Sequence, residues 1–221
     1  GKSYRIDQRK EGIEMDAVIF DVDGTLWDSA GMVTASWNKA LAKYAPYPIH
    51  IEEDALKSML GRPVTEFYDR FWGDLPQDEK IQLGQHCLDE QVSFLLKHPA
   101  PFYPGVYQTF RELSAKLPLY IVSNCQLGYI DTCMEAGNLA SFISGQLCFA
   151  ETQLPKSGTI LQLMQEHGLK DVVYVGDTAG DAAACKEADI PFIWASYGYG
   201  SVEDAPLSIR SMSELPALLG L

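Results

Sequence analysis

The sequence predicts an α/β protein with a Rossmann-like, doubly wound parallel sheet and a small inserted α-helical domain. Short apolar runs, each ending at small or polar residues, alternate with helical patterns over most of the chain. Such runs are typical of strands that are buried on both faces of a parallel sheet. One long stretch interrupts the alternation and carries helical patterns alone, which indicates a separate helical unit.

The strands are predicted from five apolar runs. Four clear runs cover residues 17–20, 119–122, 172–175 and 192–194, and a weaker run covers residues 146–149. Helical patterns at residues 106–117 and 159–167 separate them and indicate βαβ units. Right-handed crossovers place the carboxyl ends of all such strands at one edge of the sheet. The polar residues that follow the runs, among them Asp21, Ser123 and Asp177, are therefore expected to converge there.

The inserted helical unit is predicted from residues 30–101. This stretch carries four helical patterns, at residues 32–44, 52–60, 64–72 and 78–97, and proline-containing segments at residues 98–101 and 103–105 bound it. We therefore expect a core domain made of residues 15–29 and 102–221 and a helical cap domain made of residues 30–101. Residues 1–14 are polar and lack a signal-peptide core, and we expect an added leader before a native start at Met15.

Composition excludes several classes of partner. The formal net charge is −13 over 221 residues, whereas nucleic acids and acidic membrane surfaces need basic patches. The sequence also lacks an apolar run of about 20 residues, the length that a membrane-spanning helix needs. Five cysteines form no CxxC pair, which favours reduced thiols in a cytoplasmic protein. Cys125 follows the predicted site, and we interpret it as a buried filler rather than a catalytic thiol.

The strongest chemical signal is the run FDVDGTL, which directly follows the first predicted strand. Asp21 and Asp23 offer two carboxylates, the hard oxygen ligands that Mg²⁺ prefers. A carboxylate is also a competent nucleophile for phosphoryl transfer. Gly24 permits a sharp turn and close approach to a ligand. This run alone leaves two alternatives open, a calcium-type loop and a simple acidic turn.

Together with three later motifs, this run resembles the haloacid dehalogenase (HAD) superfamily. Ser123 in IVSN is similar to the second motif of the family, and Lys156 in LPKSG is similar to the third. The run GDTAGD, with Asp177 and Asp181, resembles the fourth. All four occur in the family's order, and helices between the first two motifs resemble the helical-cap subgroup, which includes phosphoglycolate phosphatases.

The resemblance implies a phosphatase with an aspartyl-phosphate intermediate. It implies that Asp21 is the nucleophile, that Asp23 is the general acid and base, and that Ser123 and Lys156 hold the transferring phosphoryl group. The implied cofactor is Mg²⁺, with metal-binding residues Asp21, Asp23 (through its backbone carbonyl), Asp177 and Asp181. The candidate substrate-binding residues are Gly24, Thr25, Asn124 and, in the cap, Arg62. Lys156 departs from the usual pattern because a proline precedes it, whereas relatives commonly read Lys-Pro.

Several related functions stay open alongside hydrolysis of a small phosphorylated metabolite. Dehalogenases of the family lack the second carboxylate, so Asp23 argues against them. Mutases of the β-phosphoglucomutase type carry a histidine where this chain has Val33. Phosphonoacetaldehyde hydrolases need a cap lysine, for which Lys39 and Lys43 are available. A catalytically retired phosphate-binding or interaction protein is the non-enzymatic alternative. We expect a monomer or a homodimer.

Overall fold

A computed structural model describes residues 15–221, in which six strands form one parallel sheet. The strand order across the sheet is β3-β2-β1-β4-β5-β6. The strands are β1 (Ala17–Phe20), β2 (Leu119–Ser123), β3 (Ile143–Cys148), β4 (Val172–Gly176), β5 (Phe192–Ala195) and β6 (Ser208–Ile209). This confirms the predicted α/β class with a parallel sheet. The predicted leader at residues 1–14 lies outside the described residues.

Helices precede β2 as an uninterrupted series and then alternate with strands. The series consists of α1 (Ala30–Tyr44), α2 (Glu53–Lys57), α3 (Val64–Trp72), α4 (Gln77–Lys97) and α5 (Val106–Ser114). The later helices are α6 (Tyr129–Ala136), α7 (Phe149–Thr152), α8 (Lys156–His167), α9 (Ala179–Glu187) and α10 (Leu215–Leu218). In the described part of the chain, no helix is both long enough and apolar enough to cross a membrane.

Strand β1 lies in the middle of the sheet and is fully buried. Val18 and Phe20 belong to the apolar cluster on one face, and Ala17 and Ile19 belong to the cluster on the other. Successive side chains of a strand point to opposite faces, so a strand that is covered on both faces needs apolar residues throughout. This requirement explains the continuous apolar run in the sequence.

The carboxyl ends of β1, β2 and β4 lie side by side. Phe20 at the end of β1 is in register with Ile121 of β2 and with Val175 of β4. The residues that follow in each strand therefore reach the same edge of the sheet, as the sequence pattern predicts. This edge carries Asp21, Ser123 and Asp177.

The edge strands differ from the sequence prediction. Strand β3 runs over Ile143–Cys148, and Phe149 begins α7, so placing Phe149 in a strand was wrong. The first four residues of β3 are partly buried or exposed, which explains why the apolar signal of this strand is weak. The two-residue strand β6 was not predicted, since two residues carry no measurable periodicity.

The four helical patterns between the first two strands correspond to α1–α4, and α2 is shorter than predicted. Trp37 of α1 packs against Phe67 and Trp72 of α3, with ring centroids 5.5 and 5.9 Å apart. The buried Trp37 indole donates a hydrogen bond to Gln91 of α4. Trp37, Phe67 and Trp72 belong to the same apolar cluster as Phe20. The boundary between core and cap at residues 30–101 stays a prediction.

Candidate active site

Asp21 follows β1 and is almost completely buried. Its backbone amide donates to the Val175 carbonyl at 2.9 Å, which fixes the residue to the end of β4. Its Oδ1 lies 3.4 Å from Lys156 Nζ. Its Oδ2 is buried and has no hydrogen-bond partner within residues 15–221. Burial and the negative charge of Asp181 raise the pKa of Asp21 well above its ordinary value, although Lys156 opposes the shift.

Lys156 is buried and forms two ion pairs. It is the first residue of α8, directly after Pro155. Its Nζ lies 2.6 Å from Asp181 Oδ1, which is closer than it lies to Asp21. Burial alone would lower the pKa of Lys156, but the carboxylates of Asp181 and Asp21 raise it above the ordinary lysine value. Lys156 is therefore a charged ammonium group in the predicted site.

Asp181 binds the loop after β4 as well as Lys156. Its Oδ2 accepts hydrogen bonds from the backbone amides of Asp177 and Thr178, each at 3.1 Å, and from the Thr178 hydroxyl at 3.0 Å. Thr178 in turn accepts from the Asp181 amide, so the pair forms a capping box at the start of α9. Asp181 thus combines a helix-capping role with a charge at the site. Its role as a direct metal ligand stays a prediction.

Asp177 is completely buried and accepts a hydrogen bond at each oxygen. The Thr25 hydroxyl donates to Oδ1 at 3.1 Å, and the Tyr199 amide donates to Oδ2 at 2.9 Å. Burial, with the charge of Asp181, raises the pKa of Asp177 to about 7. The Tyr199 amide thereby gives the YGYG loop, residues 197–200, a direct contact with the site.

Gly24 is required by the close approach of Asp177. Its φ is +75°, a left-handed conformation that favours glycine. A Cβ at this position would lie 2.2 Å from Asp177 Oδ2. The backbone amides of Gly24 and Thr25 donate within their own loop, to the carbonyls of Trp27 and Val22. Gly24 and Thr25 therefore shape the site, and their contact with substrate stays a prediction.

Asp23 is held by three donors on a single oxygen. Its Oδ1 accepts hydrogen bonds from Trp27 Nε1 at 3.2 Å, from Ser29 Oγ at 2.5 Å and from the Tyr129 hydroxyl. Burial raises the pKa of Asp23, while these three hydrogen bonds act in the opposite direction. The arrangement fixes Oδ1 and leaves Oδ2 outside this network. A general acid or base needs one such oxygen that can exchange a proton with the substrate.

The other candidate residues lie around this centre. Ser123 is buried at the end of β2. Asn124 donates from Nδ2 to the Gly61 carbonyl at 2.9 Å, which connects the end of β2 to the segment before α3. Arg62 pairs with Glu66 at 3.2 Å, and its side chain is 59% exposed. Arg62, Asn124 and Asp23 line one cavity, so the cap residue does lie beside the site.

The arrangement of the carboxylates fits a divalent cation. Asp21, Asp177 and Asp181 each offer an oxygen, and these oxygens lie within 4.8 Å of one another. All three groups are buried, and Lys156 offsets only one of the three charges. Burying uncompensated negative charge is unfavourable, and a divalent cation would offset the two carboxylate charges that Lys156 leaves unbalanced. Mg²⁺ prefers such oxygen ligands.

Sequence reasoning missed the residues that position the charged groups. Ser29, Trp27 and Tyr129 hold Asp23, and the Tyr199 amide holds Asp177. Tyr129 lies 106 positions from Asp23 in the chain, so no local spacing connects the two. Ser29 and Trp27 lie just beyond the first motif. Their closeness to Asp23 in the sequence was the signal from which their contact with it could have been predicted.

Comparison with known proteins identifies the family of the chain. A sequence model of the haloacid dehalogenase-like hydrolases matches residues 18–195. The phosphoglycolate phosphatase of Escherichia coli (strain K12) is 26% identical over 239 residues, covering 94% of each chain. That of Rhodospirillum rubrum is 28% identical and covers 92% of this chain and 89% of its own.

A solved structure shares the fold. The predicted phosphoglycolate phosphatase from Haemophilus somnus superposes with a TM-score of 0.79 at 20% identity, covering 92% of this chain and 97% of its own. The matched range extends over the part of the chain from Asp21 to Asp181. The chain belongs to the haloacid dehalogenase-like hydrolase family.

Proposed function

We propose that the chain is a Mg²⁺-dependent phosphatase that hydrolyses a small phosphorylated metabolite through an aspartyl phosphate on Asp21. The buried cluster of Asp21, Asp177, Asp181 and Lys156 carries the proposal, because it combines a nucleophile, a cation-binding set and one fixed positive charge. The relatives named phosphoglycolate phosphatase support a phosphate monoester as substrate.

In the first half of the reaction, an Asp21 carboxylate oxygen attacks phosphorus. The bond between phosphorus and the ester oxygen breaks, and the leaving oxygen takes a proton from Asp23. The buried Asp21 Oδ2, which makes no hydrogen bond in the described structure, is the oxygen available for attack. Three donors hold Asp23 through its other oxygen, so Oδ2 of Asp23 is the one that delivers the proton.

In the second half, Asp23 acts as a base. It removes a proton from water, the water oxygen attacks phosphorus, and the bond between phosphorus and Asp21 breaks to release inorganic phosphate. Lys156 and Ser123 stabilise the charge on the phosphoryl oxygens. Asp21, the Asp23 carbonyl and Asp177 would hold Mg²⁺, with Asp181 beside them. Bound Mg²⁺ supplies Lewis-acid polarisation of the phosphoryl group and offsets the buried negative charge.

The alternative chemistries of the family receive less support. Val33 is buried and lines the cavity that contains Asp23, where an apolar side chain offers no proton-carrying group for a mutase. Lys39 pairs with Glu90 at 2.6 Å, and its side chain is 65% exposed, which does not suit a Schiff-base lysine. A phosphate-binding protein without catalytic activity would not require the complete buried cluster of three carboxylates and Lys156. The cytoplasmic location and the monomer or homodimer state stay predictions.

Trapping of the covalent intermediate tests the proposed function. In Asp23→Asn the second half of the reaction loses its base, while p-nitrophenolate still departs from p-nitrophenyl phosphate without protonation. We expect a burst of about one p-nitrophenolate per protein and a phosphoprotein that hydroxylamine cleaves, as it cleaves acyl phosphates. The double variant Asp21→Asn, Asp23→Asn should show neither. A phosphoprotein that survives hydroxylamine, or that forms without Asp21, would contradict the proposal.

Tyr129→Phe should weaken the acid function of Asp23 with little loss of packing. The variant removes one of the three hydrogen bonds to Asp23 and retains the ring beside Trp27. A hydrogen bond to a charged group contributes about 1.5–3 kcal/mol. We expect kcat for an alkyl phosphate to fall at least ten-fold, and kcat for p-nitrophenyl phosphate to fall much less. Tyr120→Phe, at a buried tyrosine on the other sheet face, is the control. Equal losses on both substrates would indicate a structural role for Tyr129.

A further inference from the structure

Two adjoining cavities lie at the end of β2. The inner cavity has a volume of about 30 Å³ and is lined by Asp23, with Trp37 and Phe67 among its other walls. The outer groove has a volume of about 810 Å³ and lies between α3, α4, α7 and the loop after β2. Both are lined by the same five residues, namely Val64, Leu88, Asn124, Cys125 and Gln126. The outer groove therefore begins where the predicted site ends.

The outer groove has a mainly apolar wall. Three of its residues are large, apolar and exposed: Ile81 at 50%, Leu96 at 52% and Leu127 at 66%. Exposed apolar residues that gather in one groove mark a binding surface more often than single ones do. The charged residues of this wall are Asp89 and Lys97, which carry opposite charges. The groove therefore offers an apolar ligand more contact than an anionic one.

The junction of the two cavities carries an unpaired hydrogen-bond donor. Gln126 Nε2 is buried and makes no hydrogen bond to any residue that the structure describes. Buried polar groups are nearly always hydrogen-bonded, so an unpaired one calls for a partner. Since Gln126 lines both cavities, rotation of its side chain would bring this buried nitrogen to an oxygen of a ligand that passes from one cavity to the other.

Arg62 offers little free positive charge for an anionic leaving group. It lines the inner cavity, but its guanidinium pairs with Glu66, and more than half of its side chain is exposed. An anionic group such as a carboxylate would have to compete with Glu66 and with solvent for it. The rest of the inner cavity wall combines apolar side chains, such as those of Val33, Leu60 and Phe67, with uncharged polar side chains and the Asp23 carboxyl group.

We propose that the outer groove binds the leaving group of the substrate, a phosphate monoester with an apolar chain or ring beyond an oxygen acceptor. The phosphate lies at Asp21, the acceptor oxygen takes the hydrogen bond from Gln126, and the apolar part lies against Leu96 and Leu127. This inference rests on the proposed phosphatase function and specifies its substrate class. It distinguishes this chain from a phosphatase whose leaving group carries a carboxylate.

The test is a substrate series that varies only the apolar length. The substrates are 2-methoxyethyl, 2-butoxyethyl and 2-hexyloxyethyl phosphate, each with the same ester bond and ether oxygen, and phosphoglycolate is the anionic comparison. Burial of one methylene contributes at most about a four-fold gain. We expect kcat/KM for phosphate release by the full chain to rise at least ten-fold from methoxyethyl to hexyloxyethyl. The kcat/KM for phosphoglycolate should be at least ten-fold lower than the kcat/KM for the hexyloxyethyl ester.

Variants at the exposed apolar wall locate the effect. In Leu127→Asp and Leu96→Asp, the ratio of kcat/KM between the hexyloxyethyl and methoxyethyl esters should fall to below about three. Leu161→Asp is the matched control, because Leu161 is 46% exposed on α8 and does not line the groove. It should keep the wild-type ratio. The Asp substitutions affect exposed positions, and thermal melting checks that each variant folds.

Three outcomes would overturn this substrate assignment. The first is a flat chain-length profile with p-nitrophenyl phosphate hydrolysis intact, which would leave the phosphatase function standing. The second is a preference for phosphoglycolate that Arg62→Ala removes. The third is a change of oligomeric state in Leu127→Asp, measured by light scattering, with an unchanged substrate ratio, which would make the groove an interface between copies. Loss of turnover on every phosphate ester tested would instead reject the phosphatase function itself.

Discussion

Asp21→Asn should lower kcat for p-nitrophenyl phosphate at least about a thousand-fold, since a lost nucleophile typically costs several powers of ten. The amide of asparagine is nearly isosteric with the carboxylate but is a poor nucleophile and cannot form the acyl phosphate. Steady-state release of p-nitrophenolate at saturating Mg²⁺ measures the effect. Residual turnover above about a hundredth of the wild-type rate would contradict the assignment.

The fold should survive this substitution. Asp21 is buried next to two other carboxylates, and these surroundings disfavour its charged form. Asparagine removes that charge and keeps the shape, so the melting temperature in chelator should stay the same or rise. Asp171→Asn is the matched control, because Asp171 is exposed just before β4, at the opposite edge of the sheet. This control should retain full activity, which separates loss of the nucleophile from a general loss of acidic charge.

The centre of the site was predictable because each chemical group directly follows a central strand. Asp21 and Asp177 come immediately after apolar runs that read clearly as buried strands, and parallel pairing brings their ends together. The resemblance to a known family then implied a role for each group. Lys156 was predicted despite its altered flanking residues. Pro155 is compatible with the start of a helix, and Lys156 begins α8 with its ammonium group at Asp21.

The supporting contacts were not predictable, because they depend on how distant elements pack. The bond from Asn124 to the Gly61 carbonyl joins residues 63 positions apart, and nothing local in either segment indicates it. The two hydrogen bonds of the Tyr199 hydroxyl, from the Ala30 amide and to Asp28, connect the loop after β5 to the start of α1. Such contacts need the three-dimensional position of an aromatic ring, which periodicity does not provide.

The outer groove also lay beyond sequence reasoning. Its apolar residues Ile81 and Leu96 lie on α4, where the sequence pattern predicted only a helix. In the structure other residues of α4, such as Cys87 and Leu95, fill the interior, and Ile81 and Leu96 remain at the surface. Which apolar residues stay exposed depends on the number and placement of the neighbouring helices.

Asp177→Asn should remove both activity and the response to metal. Asp177 is buried within reach of Asp21 and Asp181, and both of its oxygens are oriented by donors from Thr25 and Tyr199. Asparagine keeps one carbonyl oxygen but loses the charge that attracts a hard cation. We expect kcat/KM at millimolar Mg²⁺ to fall at least about a thousand-fold, and EDTA to silence the wild-type protein until Mg²⁺ is restored. Full wild-type activity in chelator would refute the metal-dependent mechanism.

A binding measurement independent of turnover completes this prediction. A ligand at a hundred times its Kd stabilises the folded state by about 2.7 kcal/mol, which raises the melting temperature of a chain of this size by roughly 5–10 °C. We expect Mg²⁺ to produce such a rise in the wild-type protein and none in Asp177→Asn. Asp189→Asn is the matched control, because Asp189 is exposed, and its φ of 56° suits asparagine. Ca²⁺ should also raise the melting temperature but inhibit turnover, because its larger and looser coordination shell fails to hold the phosphoryl group in line with Asp21. An equal Mg²⁺ response in Asp177→Asn and Asp189→Asn would place the cation elsewhere and leave Asp177 as a structural carboxylate.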